Sequence, residues 1–138
     1  MNVYIDPSAE LFTAFKALDR DKPIQMINLI RLKERASYAH GRDVSGFEAY
    51  KAYSRESGPI FTRVGGSIVW RGRPETLVIG PEAEQWDLAF VARYPTAHAF
   101  LEMVSDPDYK KAVIHRQAAV ADSRLIRCAE QTSDGLFS

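Results

Sequence analysis

An imidazole and a guanidinium stand side by side in residues 106–126, DPDYKKAVIHRQAAVADSRLI. His115 is a candidate general base, because imidazole titrates near neutral pH. Arg116 offers planar, bidentate recognition of a substrate carboxylate or enolate. Read as a helix, the segment puts Tyr109, Ala112, Val113, Ala119 and Val120 on one apolar face. Arg116 falls in the middle of that stripe, and His115 flanks it about 100° round the helix. A guanidinium there needs either a rim position for its head or a carboxylate partner, for which Asp87 and Asp122 are the candidates. The bland alternative for His115 is a solvent-facing or helix-capping role.

Four further residues are candidates for lining a ligand cleft. Asn28 lies among apolar residues, where an unpaired amide would cost about 1–3 kcal/mol, so it must bond either to a neighbouring loop or sheet edge or to a ligand. Trp70, Trp86 and Tyr53 each combine an apolar body with one polar handle, which suits the wall of a pocket; aromatic residues at such spacings equally suit a core. Arg31 points to the opposite side of its strand from Asn28 and is expected in a salt bridge. His40, His98 and His115 are too scattered for metal-ligand spacing, so no metal is expected. There is no phosphate-binding GxxxxGK[ST], no GxGxxG after a strand, no nucleophile elbow and no HExxH. These absences argue against nucleotide hydrolysis, dinucleotide redox and serine hydrolase chemistry.

The elements that must hold these residues follow from periodicity and capping. Pro7 and Ser8 begin a helix with Leu11, Phe12, Phe15 and Leu18 on one side. IQMINLIRL follows Pro23, with Ile24, Met26, Ile30 and Leu32 on one face and Ile27 and Leu29 on the other, so both faces of this strand look buried. Residues 33–45 lack an apolar period, are rich in Lys, Arg and His, and form a candidate lid. Ser45 and Glu48 make a capping box for a helix that is expected to kink or break near Gly58 and Pro59 and to end at Gly65 and Gly66.

SIVWRG and TLVIG, separated by Arg73, Pro74 and Glu75, predict a hairpin. WDLAFVARY is a strand, stopped by Pro95. Thr96 caps one helix, Asp106 and Pro107 begin the next, and SRLIRCA is a closing strand carrying Cys128.

With the first helix set aside, this order is that of an α+β, ferredoxin-like split βαβ sandwich with an antiparallel sheet. The expected division is a helical extension over residues 1–22, the ferredoxin-like domain over 23–128 and a tail over 129–138. One copy of this fold covers only one sheet face with helices, whereas the strands offer large apolar groups to both. A second subunit packing sheet against sheet, as a homodimer, relieves the mismatch.

Composition narrows the partners. The 138 residues suit one domain, and 46% hydrophobic with 26% charged residues is the balance of a globular protein. Eighteen basic residues match eighteen acidic ones with no basic cluster, which leaves no footprint for nucleic acid. No apolar run is long enough for a membrane span. The single cysteine excludes an intrachain disulfide, and the first residues lack a signal-peptide pattern, so a cytoplasmic location is expected.

The motifs NLIR, GFEAYKAYSRESGPI, VGGSIVWRG, WDLAFVARYPTAHAFLEMVSDPDY and HRQAAVADSRLI, in this order, resemble the domain of unknown function thirteen-thirty, within the dimeric α+β barrel superfamily. The resemblance spans about residues 23–126 and implies a ferredoxin-like subunit, pairing as a dimeric α+β barrel, with no established reaction. Related superfamily members include cofactor-independent monooxygenases, isomerases, haem-degrading enzymes and ligand sensors, so fold by itself does not choose among them. The expectation is a dimer binding a small organic molecule between sheet and helices through Asn28, Tyr53, Trp70 and Trp86. His115 and Arg116 would catalyse a cofactor-independent oxygenation, isomerisation or proton transfer, with no cofactor required. The alternative is a non-enzymatic ligand-sensing or interaction module.

Overall fold

A computed structural model describes residues 2–137. Its elements run α1 (Ala9–Ala17), β1 (Ile24–Leu32), α2 (Gly46–Arg63), β2 (Ser67–Gly72), β3 (Leu88–Tyr94), α3 (Ala97–Ser105), α4 (Pro107–Ala119) and β4 (Val120–Ala129). The four strands form one antiparallel sheet in the order β2-β3-β1-β4. That is the ferredoxin-like arrangement with an extra N-terminal helix. Among the described residues, no helix is long and apolar enough to cross a membrane.

The helices start where their caps dictate. Ser45 Oγ accepts from Glu48 N–H at 3.0 Å, and Glu48 Oε1 accepts in return from Ser45 N–H at 3.4 Å. Thr96 Oγ1 takes the Ala99 N–H, and Asp106 Oδ1 takes the Asp108 N–H. Arg63, bonded to the other Asp106 oxygen at 2.7 Å, holds that carboxyl below the usual carboxylate range and ties the end of α2 to the start of α4. Gly65 terminates α2 at φ 90°, a backbone conformation suited to glycine.

Alternation in β1 sorts the two layers. Ile24, Met26 and Ile30 are buried under the helices with Ala92 and Tyr94 of β3, against Ile60 of α2 and Phe100 and Met103 of α3. Ile27 and Leu29 point to the other face, which no helix covers. In register across that open face, Trp70, Val91, Ile27 and Ile126 make an unbroken apolar row spanning all four strands. Trp70 and Ile126 remain 55% and 48% exposed.

Three expectations are corrected. TLVIG is not a strand: β2 pairs directly with β3, and Val78 and Ile79, at 88% and 91% exposure, project from the connection between them. Alternation marks a segment as strand-compatible but does not choose its partner, and β3 offers β2 a half-buried ladder that TLVIG lacks. Second, α2 is one helix through Pro59. The ring lies near the C-terminus, where only the Arg55 carbonyl would have used the missing N–H.

Third, residues 33–45 are not a free lid. Arg35 and Ser45 form a β-bridge, Ser37 N–H donates to the Ala118 carbonyl, and Tyr38 is buried in a second apolar cluster with Ala49, Ala118 and Ala119. The seam between α2 and α4 is built of alanines, and this loop fills it.

The N-terminal segment is tied along the free side of β4. Tyr4 N–H donates to Asp122 Oδ1, Ser123 Oγ–H donates to the Tyr4 carbonyl, and Arg124 lies over the Tyr4 ring at 5.1 Å. Phe15 of α1 packs on Phe100 with centroids 5.0 Å apart, while Arg127 donates to the Phe15 and Asp19 carbonyls.

Candidate functional site

The six candidate residues occupy four separate environments. Asn28 and Tyr53 lie in the helix-covered interior. Asn28 Nδ2 donates to the Met26 carbonyl at 3.1 Å, a bond within its own strand. Tyr53 Oη is 2.8 Å from Tyr109 Oη, and its ring is 5.4 Å from that of Tyr50. Burial raises Tyr50, Tyr94 and Tyr109 well above the ordinary tyrosine range, neighbouring tyrosines add to the rise, and Arg116 partly offsets it at Tyr50 and Tyr109. These hydroxyls therefore stay protonated at neutral pH and act as hydrogen-bonding groups.

Arg116 pairs with neither Asp87 nor Asp122. Its guanidinium donates to the Ile5 carbonyl at 2.5 Å and to Ser123 Oγ at 3.3 Å. A half-buried guanidinium is thus satisfied by neutral oxygens, fastening the N-terminal segment to α4 and β4. Asp122 accepts from Tyr4, Ser123 and Arg124, and Asp87 accepts from the Leu32 N–H at 2.7 Å. Arg31 is exposed and forms no ion pair with any of the described residues.

His115 sits on the outer side of the helical layer between two partners. Its Nδ1 is 2.5 Å from Tyr38 Oη, and its Nε2 is 2.9 Å from Glu56 Oε2. With Nε2 protonated toward the carboxylate, Nδ1 is left to accept the tyrosine proton, a carboxylate–imidazole–hydroxyl chain. Nothing in the sequence signalled Tyr38 or Glu56, which come from a loop and from α2, 77 and 59 positions away. The histidine is bound on both nitrogens, so neither the solvent-facing nor the capping alternative describes it.

Trp70 and Trp86 belong with the open sheet face. Trp70 lies in the apolar row. Strand β3 starts at Leu88, two residues later than alternation indicates, and the Trp86 ring lies 5.2 Å from the Arg124 guanidinium.

A concavity of about 650 Å³ lies elsewhere, open to solvent between the sheet and the beginning of α2. Its floor is Leu32 at the end of β1, Leu88 at the start of β3 and Phe47 of α2, the last 55% exposed. Its charged wall combines Arg71 and Arg73, leaving β2, with Lys33, Glu34 and Asp87. Ligand sites commonly fall between about 300 and 1,000 Å³.

The location agrees with a cleft between sheet and helices, but none of the six candidate residues lines it. What brings the wall together is the β2–β3 pairing, which sequence reasoning assigned to the wrong partner. The available signal was WRGR, two arginines flanking the glycine that ends β2.

Gly46 sets the cleft's far side. A Cβ on Gly46 would lie 2.0 Å from the Lys33 carbonyl oxygen, so only glycine lets the first turn of α2 close onto the end of β1. The Gly46 N–H donates to the Glu34 carbonyl across the same contact.

A protein-family model described as "Domain of unknown function (DUF1330)" matches residues 39–128. The chain belongs to this family. A crystal structure of RPA0582, a protein of unknown function from Rhodopseudomonas palustris, is 52% identical, with 96% of this chain covering all of that one at a TM-score of 0.92. The methylated form of RPA0582 superposes at 0.94, again with 52% identity, over 97% of this chain and 99% of that one.

At the level of fold alone, the chain is similar to SnoaB, a cofactor-independent oxygenase from Streptomyces nogalater. Identity is 11%, with 83% of this chain covering 99% of that one at a TM-score of 0.54. No curated protein matches.

Proposed function

We propose that the protein binds a small organic molecule in the cleft between the sheet and α2. The observation that carries this reading is the cavity itself: about 650 Å³ with an apolar floor and a few polar groups on one wall. Native mass spectrometry and crystals of the purified protein test it. The expected result is a co-purified or soaked compound resting on Leu88 and Phe47, lost when Leu88→Trp fills the floor. Binding that survives Leu88→Trp, or density confined to another surface, removes the reading.

In a second reading a molecule is turned over beside Tyr38, which lines a separate concavity with Glu48 and Arg55, by cofactor-independent oxygenation, isomerisation or proton transfer. The hydrogen-bonded chain Glu56–His115–Tyr38 favours it, and SnoaB supports a cofactor-independent oxygenase on the same fold. Incubating any co-purified compound with wild type and with His115→Asn separates catalysis from sensing. Turnover that is present in wild type and disappears in the variant, with binding retained, makes the protein an enzyme. Absence of turnover in wild type leaves the ligand-sensing module.

The working form in this proposal is a homodimer. The apolar row of Trp70, Val91, Ile27 and Ile126 crosses the whole uncovered sheet face, and a second copy presents an identical row to cover it. Sedimentation or light scattering at micromolar concentration is expected to return twice the mass of the 15.5 kDa chain. Trp70→Glu is expected to return a single chain, because a carboxylate would have to be desolvated within the contact. A wild-type protein with the mass of one chain ends this part of the proposal.

A further inference from the structure

We infer that the cleft selects organic anions, molecules that join a carboxylate or enolate to an apolar or planar body. The inference rests on the cleft reading above and adds the chemical class of the ligand. It comes from the state of the charges on the cleft wall. Glu34 and Asp87 line the same cavity as Arg71 and Arg73, yet neither arginine forms an ion pair with any of the described residues.

Of the other charged side chains there, Asp87 and Lys33 are engaged, and Glu34 forms no ion pair with any of the described residues. One Asp87 oxygen accepts the Leu32 N–H at 2.7 Å, and Lys33 Nζ is 2.5 Å from Ser37 Oγ. At the start of α2, the Glu48 carboxylate closes the capping box, so the helix end is occupied by its own side chain. Elsewhere Arg63, Arg93, Arg116, Arg124 and Arg127 have hydrogen-bond partners, whereas Arg31, Arg42 and Arg55 form no ion pair with any of the described residues. The two cleft arginines stand out as guanidiniums two residues apart that converge on one cavity with no such partner.

Their geometry suits a bound anion. Arg71 pairs across the ladder with Phe90, whose alternate neighbour Leu88 forms the floor, so the guanidinium rises from the same sheet face that a ligand body would rest on. Arg73 follows immediately past the end of β2. A guanidinium fork matches a carboxylate through two parallel N–H···O bonds, and an anion between two such forks also relieves their mutual repulsion. Leu32, Leu88 and Phe47 supply apolar contact for the remainder of the molecule.

Two probes with the same body separate charge from shape: 2-naphthoate and its neutral amide, 2-naphthamide. Affinities are measured by titration calorimetry, with Leu88 and Phe47 chemical shifts reporting the location. At low ionic strength the naphthoate is expected to bind about tenfold more tightly, the magnitude of one charge-assisted bond partly exposed to solvent. That margin should narrow in 0.5 M salt, where the Debye length falls to roughly 4 Å.

The double variant Arg71→Gln, Arg73→Gln should erase the preference and leave naphthamide binding unchanged. Both positions are solvent-exposed, so folding is expected to survive. Arg31→Gln, an exposed arginine that does not line the cleft, should keep the full preference. Equal affinity for the two probes, or a preference that persists in the double variant, overturns the anion inference while the cleft reading stands. Failure of both probes to perturb Leu88 and Phe47 overturns both.

Discussion

Gly46→Ala is expected to lower the stability of the fold by about 3 kcal/mol, at the upper end of what overpacking usually costs. An added Cβ would stand 2.0 Å from the Lys33 carbonyl oxygen, 2.9 Å from its carbon and 3.0 Å from its nitrogen. These are backbone atoms at the end of the central strand, so no rotamer change relieves the clash. Either the first turn of α2 lifts away, losing the Gly46 N–H bond to the Glu34 carbonyl, or residues 33–45 move with it.

The same substitution in the same helix provides the control. Gly58 has nothing within 4 Å of an added Cβ beyond its chain neighbours and does not have positive φ, so Gly58→Ala should cost far less than Gly46→Ala, the gain in helix propensity being offset by the Cβ meeting the Pro59 ring. Urea titrations at one fixed protein concentration would read both. A Gly46→Ala midpoint at or above that of wild type would show that the strand–helix contact is looser than described, and the cleft geometry would lose its anchor. If the contact is as close as described, Gly46→Ala should also weaken ligand binding beyond its effect on folding, because Leu32, Lys33, Ser45 and Phe47 move relative to one another.

Phe100→Ala should cost about 3–5 kcal/mol, the usual range for removing a buried phenylalanine side chain. Phe100 is the junction of the core: Tyr94 meets it edge-on at 5.3 Å, and Phe15 packs on its other side at 5.0 Å. Phe15→Ala removes only the second contact, from a residue that is itself half-exposed, and should cost clearly less. Amide hydrogen exchange distinguishes the two. Phe15→Ala should speed exchange in α1 alone, whereas Phe100→Ala should speed it in α1, α3 and β3 together. Equal costs, or undisturbed β3 amides in Phe100→Ala, would mean that α1 docks on a core that does not need it.

Much of this architecture was legible because its causes are local. The capping box at Ser45 and Glu48, the cap at Thr96, the start of α4 at Asp106 and Pro107, and the stop at Gly65 each need only a few neighbouring residues. The two-sided character of β1 was readable for the same reason, since alternation is a property of one strand. Apart from the kink expected at Pro59, the misreadings are non-local. TLVIG has strand-like alternation, but β2 found a better partner sixteen residues beyond its end. Tyr38 belongs to a segment with no period, and its burial depends on an alanine seam that exists only when α2 and α4 meet.

The candidate site divides in the same way. Residue type and position made His115 a reasonable base and Arg116 a reasonable anion binder. Tertiary structure alone gives His115 its partners Tyr38 and Glu56, and it assigns Arg116 to the Ile5 carbonyl and Ser123. The cleft-lining arginines without ion pairs are instead Arg71 and Arg73, at the end of a strand whose pairing was misjudged.

By itself, then, the sequence determined the helices and their caps, the split βαβ plan and the apolar excess on both faces of the central strand. Only the folded chain decided which strand lies beside β2, where the cleft opens and which charges converge on it. The physical reason is range. Propensity, capping and periodicity act over a few residues, whereas a cleft is made by side chains from β1, α2, β2 and β3, whose proximity depends on the packing of the whole domain.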